Sequence, residues 1–255
     1  MGDQPAERPA SDTLQEGGEV IDEHFYMSKA TTAFIDEDYE RALSYYSRAL
    51  QYNITLEAAW LGQLRCLIEL RELQEAIIWS NRALEKYPDS PDILAARGIA
   101  ESRIGRTVAA IAYVDGALRG KSCTPYTWVA RGEVLIPTNI KNAEACFNKA
   151  IELSPKDWQL QAWIARSYLV HGHHSQALDH LRQAVRLEPN CPTCWYWIGR
   201  CWEVMGDTSE AVRAYIRALS GSSINKKARE ALSRIENRGL ITKLTHGCKR
   251  LFNHK

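Results

Sequence analysis

The chain has 255 residues, of which 45% are apolar and 25% charged, and its formal net charge is +1. That is enough apolar side chain for a continuous core, and too small a net charge to draw the whole molecule to nucleic acid or anionic membrane. No apolar run approaches the roughly 20 residues of a membrane span. Seven cysteines, an odd number without framework spacing, fit reduced thiols in a cytoplasmic compartment.

Residues 1–20 combine Pro, Gly, Ser and acids with few apolar side chains, a composition that predicts disorder. Residues 1–23 carry seven acids against Arg8 alone, a net of −6. The start lacks the apolar stretch of a secretory signal, and Ala6 stands where N-myristoylation wants Ser or Thr.

From Ile21 the apolar residues recur with a helical period. Ala42, Ala76, Ala110, Ala143, Ala177 and Ala211 step by 34, 34, 33, 34 and 34 residues, and Ala49, Ala83, Ala117, Ala150, Ala184 and Ala218 repeat the same steps. A fixed period of this length is the signature of a repeat array. It predicts six helix pairs: 23–36 with 39–52, 57–70 with 73–86, 91–104 with 107–119, 125–136 with 140–153, 158–171 with 174–187, and 192–205 with 208–220. Gly105, Gly172 and Gly206 fall at corners inside pairs, while Pro88, Pro155 and Pro189 mark exits between them.

The fourth unit is one residue short, and Pro137-Thr138-Asn139 occupies the gap. Proline there predicts a helix ending near Ile136 and a corner tighter than the others. After the sixth unit, Ile224, Ala228, Ala231, Leu232 and Ile235 share one helical face, so 224–238 reads as a helix capping the exposed end of the array. Residues 226–255 carry nine Lys and Arg against Glu230 and Glu236, a net of +7. The tail 239–255 is amphipathic, with Lys243, Lys249 and Arg250 set apart from its apolar positions. Two readings of that tail stand: a further cap, or contact with an anionic membrane or a partner.

The pattern resembles the tetratricopeptide repeat family, a 34-residue helix–turn–helix unit. Its early aromatic place holds Tyr26, Trp60, Trp128 and Trp195. Its small place holds Ala30, Gly98, Gly132, Ala165 and Gly199, and its second aromatic place holds Tyr46, Phe147 and Tyr215, with Leu181 substituting. Leu64 replaces the small residue, which predicts looser packing in the second repeat. The resemblance covers residues 23–223 and implies an all-α solenoid of six repeats at 21–223, short of a full superhelical turn, with a C-terminal capping helix.

No glycine-rich phosphate loop, nucleophile elbow or paired metal-binding histidines appear, so neither enzyme activity, cofactor nor metal is expected. Cys191-Pro192-Thr193-Cys194 looks like a redox motif, but the βαβ context of such a motif is missing, and reduced thiols between repeats are the expectation. His171, His173 and His174 lie at the opposite rim, about 20 Å away across one helix, too far to complete a metal site with it. The eight tryptophans fall mostly at packing places without a basic stripe, so nucleic acid is not an expected partner.

The resemblance implies that the first helix of each repeat lines a concave face. The lining positions then hold Leu61, Arg65, Arg103, Tyr126, Glu133, Arg166, Tyr196 and Arg200, an apolar surface studded with guanidinium groups. Such a groove suits an acidic peptide or helix with apolar anchors. The competing reading is that these arginines are simply solvated. The carboxylate clamp of the chaperone-binding branch is absent, because its first-repeat places hold Met27 and Thr31. The acidic start, residues 1–23, is a candidate pseudo-ligand for the same groove. The expected function is a non-enzymatic scaffold or adaptor that binds a protein segment in the groove. The alternative is a regulatory or assembly subunit of an enzyme or membrane-associated complex, docked through the basic tail.

Overall fold

The computed structural model describes residues 15–16, 19–20, 22–120, 123–219 and 226–237. Gln15–Glu16 and Glu19–Val20 pair antiparallel, Gln15 opposite Val20, just ahead of the first helix. Every other described element is helical. The first five repeats comprise α1 (Glu23–Ile35) with α2 (Tyr39–Tyr52), α3 (Glu57–Glu69) with α4 (Leu73–Lys86), α5 (Pro91–Arg103) with α6 (Thr107–Leu118), α7 (Pro125–Leu135) with α8 (Ile140–Leu153), and α9 (Trp158–Val170) with α10 (His174–Leu187). The sixth is α11 (Pro192–Met205) with α12 (Thr208–Ala218), and a last helix, α13, spans 226–237. None of these is long and apolar enough to cross a membrane.

Each even-numbered helix packs against its own partner, and those up to α10 also pack against the first helix of the next repeat, while α1, α3, α5, α7 and α9 follow one another along the inner side. The alanine ladder explains why. Each of the twelve alanines that mark the period is at most 1% exposed, which lets neighbouring helix backbones approach closely. Glycine serves the same purpose where an aromatic ring arrives. A Cβ on Gly132 would fall 2.3 Å from the Phe147 ring, and one on Gly199 would fall 2.6 Å from Tyr215. Trp60 and Trp195 occupy one register place and make one bond. Each indole N–H donates to a carbonyl six residues upstream, Ile54 at 3.0 Å and Pro189 at 2.9 Å, which ties down the loop between repeats.

The second repeat packs less closely, as Leu64 predicts: the α3 and α4 backbones approach each other over far less of their length than the paired helices of any other repeat. The wider gap is still filled. Leu64 is 1% exposed, and the place that holds Tyr46, Phe147 or Tyr215 in other repeats holds Ser80. A large residue in the small place is matched in register by a small residue in the large place, so the pair conserves volume. Ser80 also accepts a bond from Arg97 at 2.9 Å. Arg97 further binds the Ile77 carbonyl at 2.6 Å, Asn81 at 2.7 Å and Glu101 at 2.7 Å, forming a buried charged knot between repeats 2 and 3.

The corner of the fourth repeat corrects an expectation. It is not tighter. The deletion comes out of the helix instead: α7 has 11 residues where α1, α3, α5 and α9 have 13, and four residues join it to α8. Ile136 stays right-handed, and Asn139 caps α8 through the Asn142 N–H at 3.1 Å. The other five corners each contain a left-handed residue: Glu37, Arg71, Gly105, Gly172 and Gly206.

The capping helix forms as expected over 226–237. Ala231 packs with Ala211 and Tyr215, and Arg234 pairs with Glu203 at 3.1 Å. Ile224 and the tail from residue 239 onward lie outside the described residues.

The largest departure from a simple open solenoid is that the two ends touch. Thr193 of α11 donates to the Ile35 carbonyl of α1 at 3.4 Å, and the Trp197 indole donates to Glu37 at 2.6 Å. Repeat 1 therefore closes on repeats 5 and 6 across the inner side.

Candidate binding site on the concave face

The inner faces of α1, α3, α5, α7, α9 and α11 converge on a chain of alternating charges. Glu133 accepts from Arg103 at 2.9 Å and from the Ser167 hydroxyl at 2.8 Å. Arg103 reaches on to Glu69 at 3.2 Å, and Glu69 binds Arg166. Arg166 contacts Glu37 at 3.1 Å, and Glu37 takes Lys227 of the capping helix at 3.5 Å. Three carboxylates and three cations thus alternate from repeat 4 through repeats 3, 2, 5 and 1 to the cap.

The electrostatics follow from this geometry. Burial alone would raise the Glu69 carboxyl, but Arg166 and Arg103 pull it down to about 2. Burial works against the charge on Arg103 and Arg166, yet their carboxylate partners hold both above the ordinary guanidinium range. Expecting these two arginines to fork onto a partner's carboxylates therefore needs correction. Both are already committed within the chain.

Arg65 differs. Its guanidinium carbon sits 3.7 Å from the centre of the Trp163 ring, 4.4 Å from Phe34 and 5.2 Å from Tyr126. No carboxylate among the described residues pairs with it, and burial lowers its pKa. Cation–π contact with three rings replaces part of its lost hydration. Arg65 lines two adjoining cavities, of about 120 Å³ and about 60 Å³, with Phe34, Tyr39, Trp163 and Arg166 shared between them. Trp197, Thr193 and Cys194 close the larger one, while Tyr126 and Glu133 line the smaller.

Of the residues expected to line the groove, Arg65, Tyr126, Glu133 and Arg166 meet at these cavities, with Arg103 bound behind them. Leu61 instead packs half-buried against the core of repeats 2 and 3. Tyr196 lies against Trp197 and Tyr215, and Arg200 pairs with Glu203 at 3.3 Å, so neither lines the cavities. Lys243, Lys249 and Arg250 lie outside the described residues. Glu37, Glu69, Ser167 and Lys227 were not anticipated. One signal for Glu37 is present in the sequence: it falls in register with Gly105, Gly172 and Gly206, where a corner asks for glycine.

Comparison with known proteins bears on both the array and its length. Residues 28–91 match a tetratricopeptide repeat profile, and residues 138–218 match that of anaphase-promoting complex, cyclosome, subunit 3. Human tetratricopeptide repeat protein 7A is 23% identical over 170 residues, 67% of this chain and 16% of that protein. The CTR9 homologue of Arabidopsis thaliana is 28% identical over 153 residues, 55% of this chain and 14% of that protein. The chain thus spans less than a fifth of either relative. Among solved structures, a tetratricopeptide repeat protein from Parabacteroides merdae superposes with a TM-score of 0.55 at 18% identity, covering 84% of each chain. The APC/C hetero-tetramer Cut9–Hcn1 superposes with a TM-score of 0.52 at 17% identity, covering 84% of this chain and 43% of that one. Six helix pairs in a common register, a buried alanine ladder and these matches together establish that the chain belongs to the tetratricopeptide repeat family.

Proposed function

We propose that this protein is a non-enzymatic interaction scaffold whose concave face takes an acidic segment of a partner protein, with Arg65 as the anchoring cation. The family's use as protein-binding scaffolds supports the class of function. One observation carries the finer reading. Arg103 and Arg166 have carboxylate partners at hand, whereas the Arg65 guanidinium faces a cavity the size of one side chain with aromatic rings around it. A carboxylate entering there would gain a charge-assisted bond in a poorly hydrated site, and the rings of Phe34 and Trp163 would receive an adjacent apolar group. Because the walls are tied to one another by ion pairs, the site spends little entropy on becoming ordered.

Selection of random peptides on the full chain, repeated on Arg65→Met, tests this. Enrichment of Asp or Glu beside Leu or Phe on the native chain, with at least about tenfold weaker binding to Arg65→Met, is expected from the loss of one charge-assisted bond. Peptides without an acid, or peptides indifferent to Arg65→Met, would overturn it.

The match of residues 138–218 to a subunit of a large assembly favours a second reading, in which the array is an assembly subunit. Co-purification at fixed stoichiometry, unaffected by Arg65→Met, distinguishes it from the first. The basic tail, with Lys243, Lys249 and Arg250, is the proposed further contact to a partner or membrane in that case.

A further inference from the structure

The first turn of α11 brings two thiols together. Cys191 is its N-cap, and its sulfur accepts the Cys194 N–H at 3.4 Å. The two Sγ atoms are 2.9 Å apart, and both side chains are buried, at 4% and 1% exposure. Among the described cysteines no other pair has its sulfurs in contact. Cys66 and Cys201 are isolated thiols that burial pushes up to about 12. At the pair, the Cys194 thiol beside Cys191 lowers the Cys191 pKa, and the same contact with burial raises that of Cys194. The groups that face the pair are Glu188 on the preceding loop and Glu37 from repeat 1. The N-terminal end of α11 adds a positive potential at the Cys191 sulfur. The residues just before it, Pro189 and Asn190, are exposed, which sets the Cys191 end of the helix next to solvent.

We propose that Cys191 and Cys194 are a dithiol–disulfide couple, a redox site set in the seam where repeat 1 closes on repeats 5 and 6. The oxidant is a low-molecular-weight disulfide, RS–SR. The Cys191 thiol releases its proton to water, and its thiolate attacks one sulfur of RS–SR, breaking that bond. A mixed disulfide forms on Cys191, and RS⁻ leaves. Cys194 gives its proton to this RS⁻ and attacks the Cys191 sulfur, forming the Cys191–Cys194 bond and expelling the second RS⁻, which takes a proton from water. Two protein thiols are oxidised and one RS–SR is reduced to two RSH. Thr193, between the two cysteines, holds the Ile35 carbonyl, and Cys194 lines the larger cavity, so the couple adjoins both the closure and the proposed anchor site.

The full chain, equilibrated in graded mixtures of oxidised and reduced glutathione, alkylated and mapped by peptide mass, tests the proposal. The expected result is that the peptide containing both cysteines loses both alkylation sites together and the mass of two hydrogen atoms, while Cys66 and Cys201 stay reduced. Cys194→Ala should trap the glutathione adduct on Cys191. Cys191→Ser, which places a strong N-capping residue at the same site and so preserves the helix start, should leave Cys194 reduced. A pair that stays reduced in every mixture, or accumulates two glutathione adducts without an internal disulfide, would overturn it.

Discussion

Repeats 1 and 2 turn their corners with the same backbone. Glu37 has φ 57° and Arg71 φ 67°, left-handed values that glycine takes at the equivalent corners of repeats 3, 5 and 6. Such a conformation costs a non-glycine residue roughly 1–2 kcal/mol. Arg71 lies exposed on the rim. Glu37 points inward, and its carboxylate, 7% exposed, gathers Arg166, Trp197 and Lys227. The same local strain is thus structural in one repeat and idle in the next. What separates them is what the superhelix brings opposite. Contacts between adjacent repeats follow from a 34-residue register, whereas the closure depends on twist summed over five repeats.

Three measurements sharpen or break this contrast. The largest effect belongs to an adjacent-repeat contact. Arg97→Ala strands Glu101, 2% exposed, without its main partner, and should lower the unfolding free energy by about 3–5 kcal/mol in urea titrations. If it costs less than opening the closure does, the ranking of neighbours over closure fails.

Next comes acid. Glu69 titrates at about 2 in the folded chain against an ordinary 4.5. Its folded value is depressed, so its contribution is complete above pH 4.5 and disappears as pH falls through about 2. At 1.36 kcal/mol per pH unit this amounts to about 3 kcal/mol. Unfolding curves at pH 5 and near pH 2 should show this loss, and Glu69→Gln should flatten it. An unchanged pH slope in Glu69→Gln would remove Glu69 from the closure's energetics.

The smallest effects come from the two corners, with opposite signs. Glu37→Gly relieves strain but deletes three polar contacts, for a net loss of about 1–2 kcal/mol, and it should increase the radius of gyration in small-angle scattering. Arg71→Gly relieves the same strain and loses little, so it should stabilise the chain by up to about 1 kcal/mol without changing its size. Equal signs for the two would show that Glu37 is no latch.

Much of the fold was legible because it is local. The alanine steps fixed where each helix lies, and the observed boundaries fall within two residues of those read from the period. The capping helix was legible too, from one apolar face following the last repeat. The site was legible in part. Arg65, Glu133 and Arg166 share one register place and do meet, and Glu69 with Arg103 shares another in adjacent repeats, a hint of their pairing. The pairing of Arg166 with Glu37 spans 129 residues and has no register relation, so no periodic pattern announces it. Arg200 shows the converse: its place in the pattern matches that of Arg166, yet it lies beyond the closure and pairs with Glu203.

The closure also changes how such a chain should come apart. In an open array each repeat touches only its neighbours, stability is a sum along a line, and the two end repeats fray first. Here the end repeats hold each other through Thr193, Trp197 and Glu37, and Lys227 binds the capping helix to the same carboxylate. Neither end can loosen without releasing the other. The line becomes a loop, and α1 and α11 should exchange their amide hydrogens at similar rates, as one cooperative unit rather than as two independent ends.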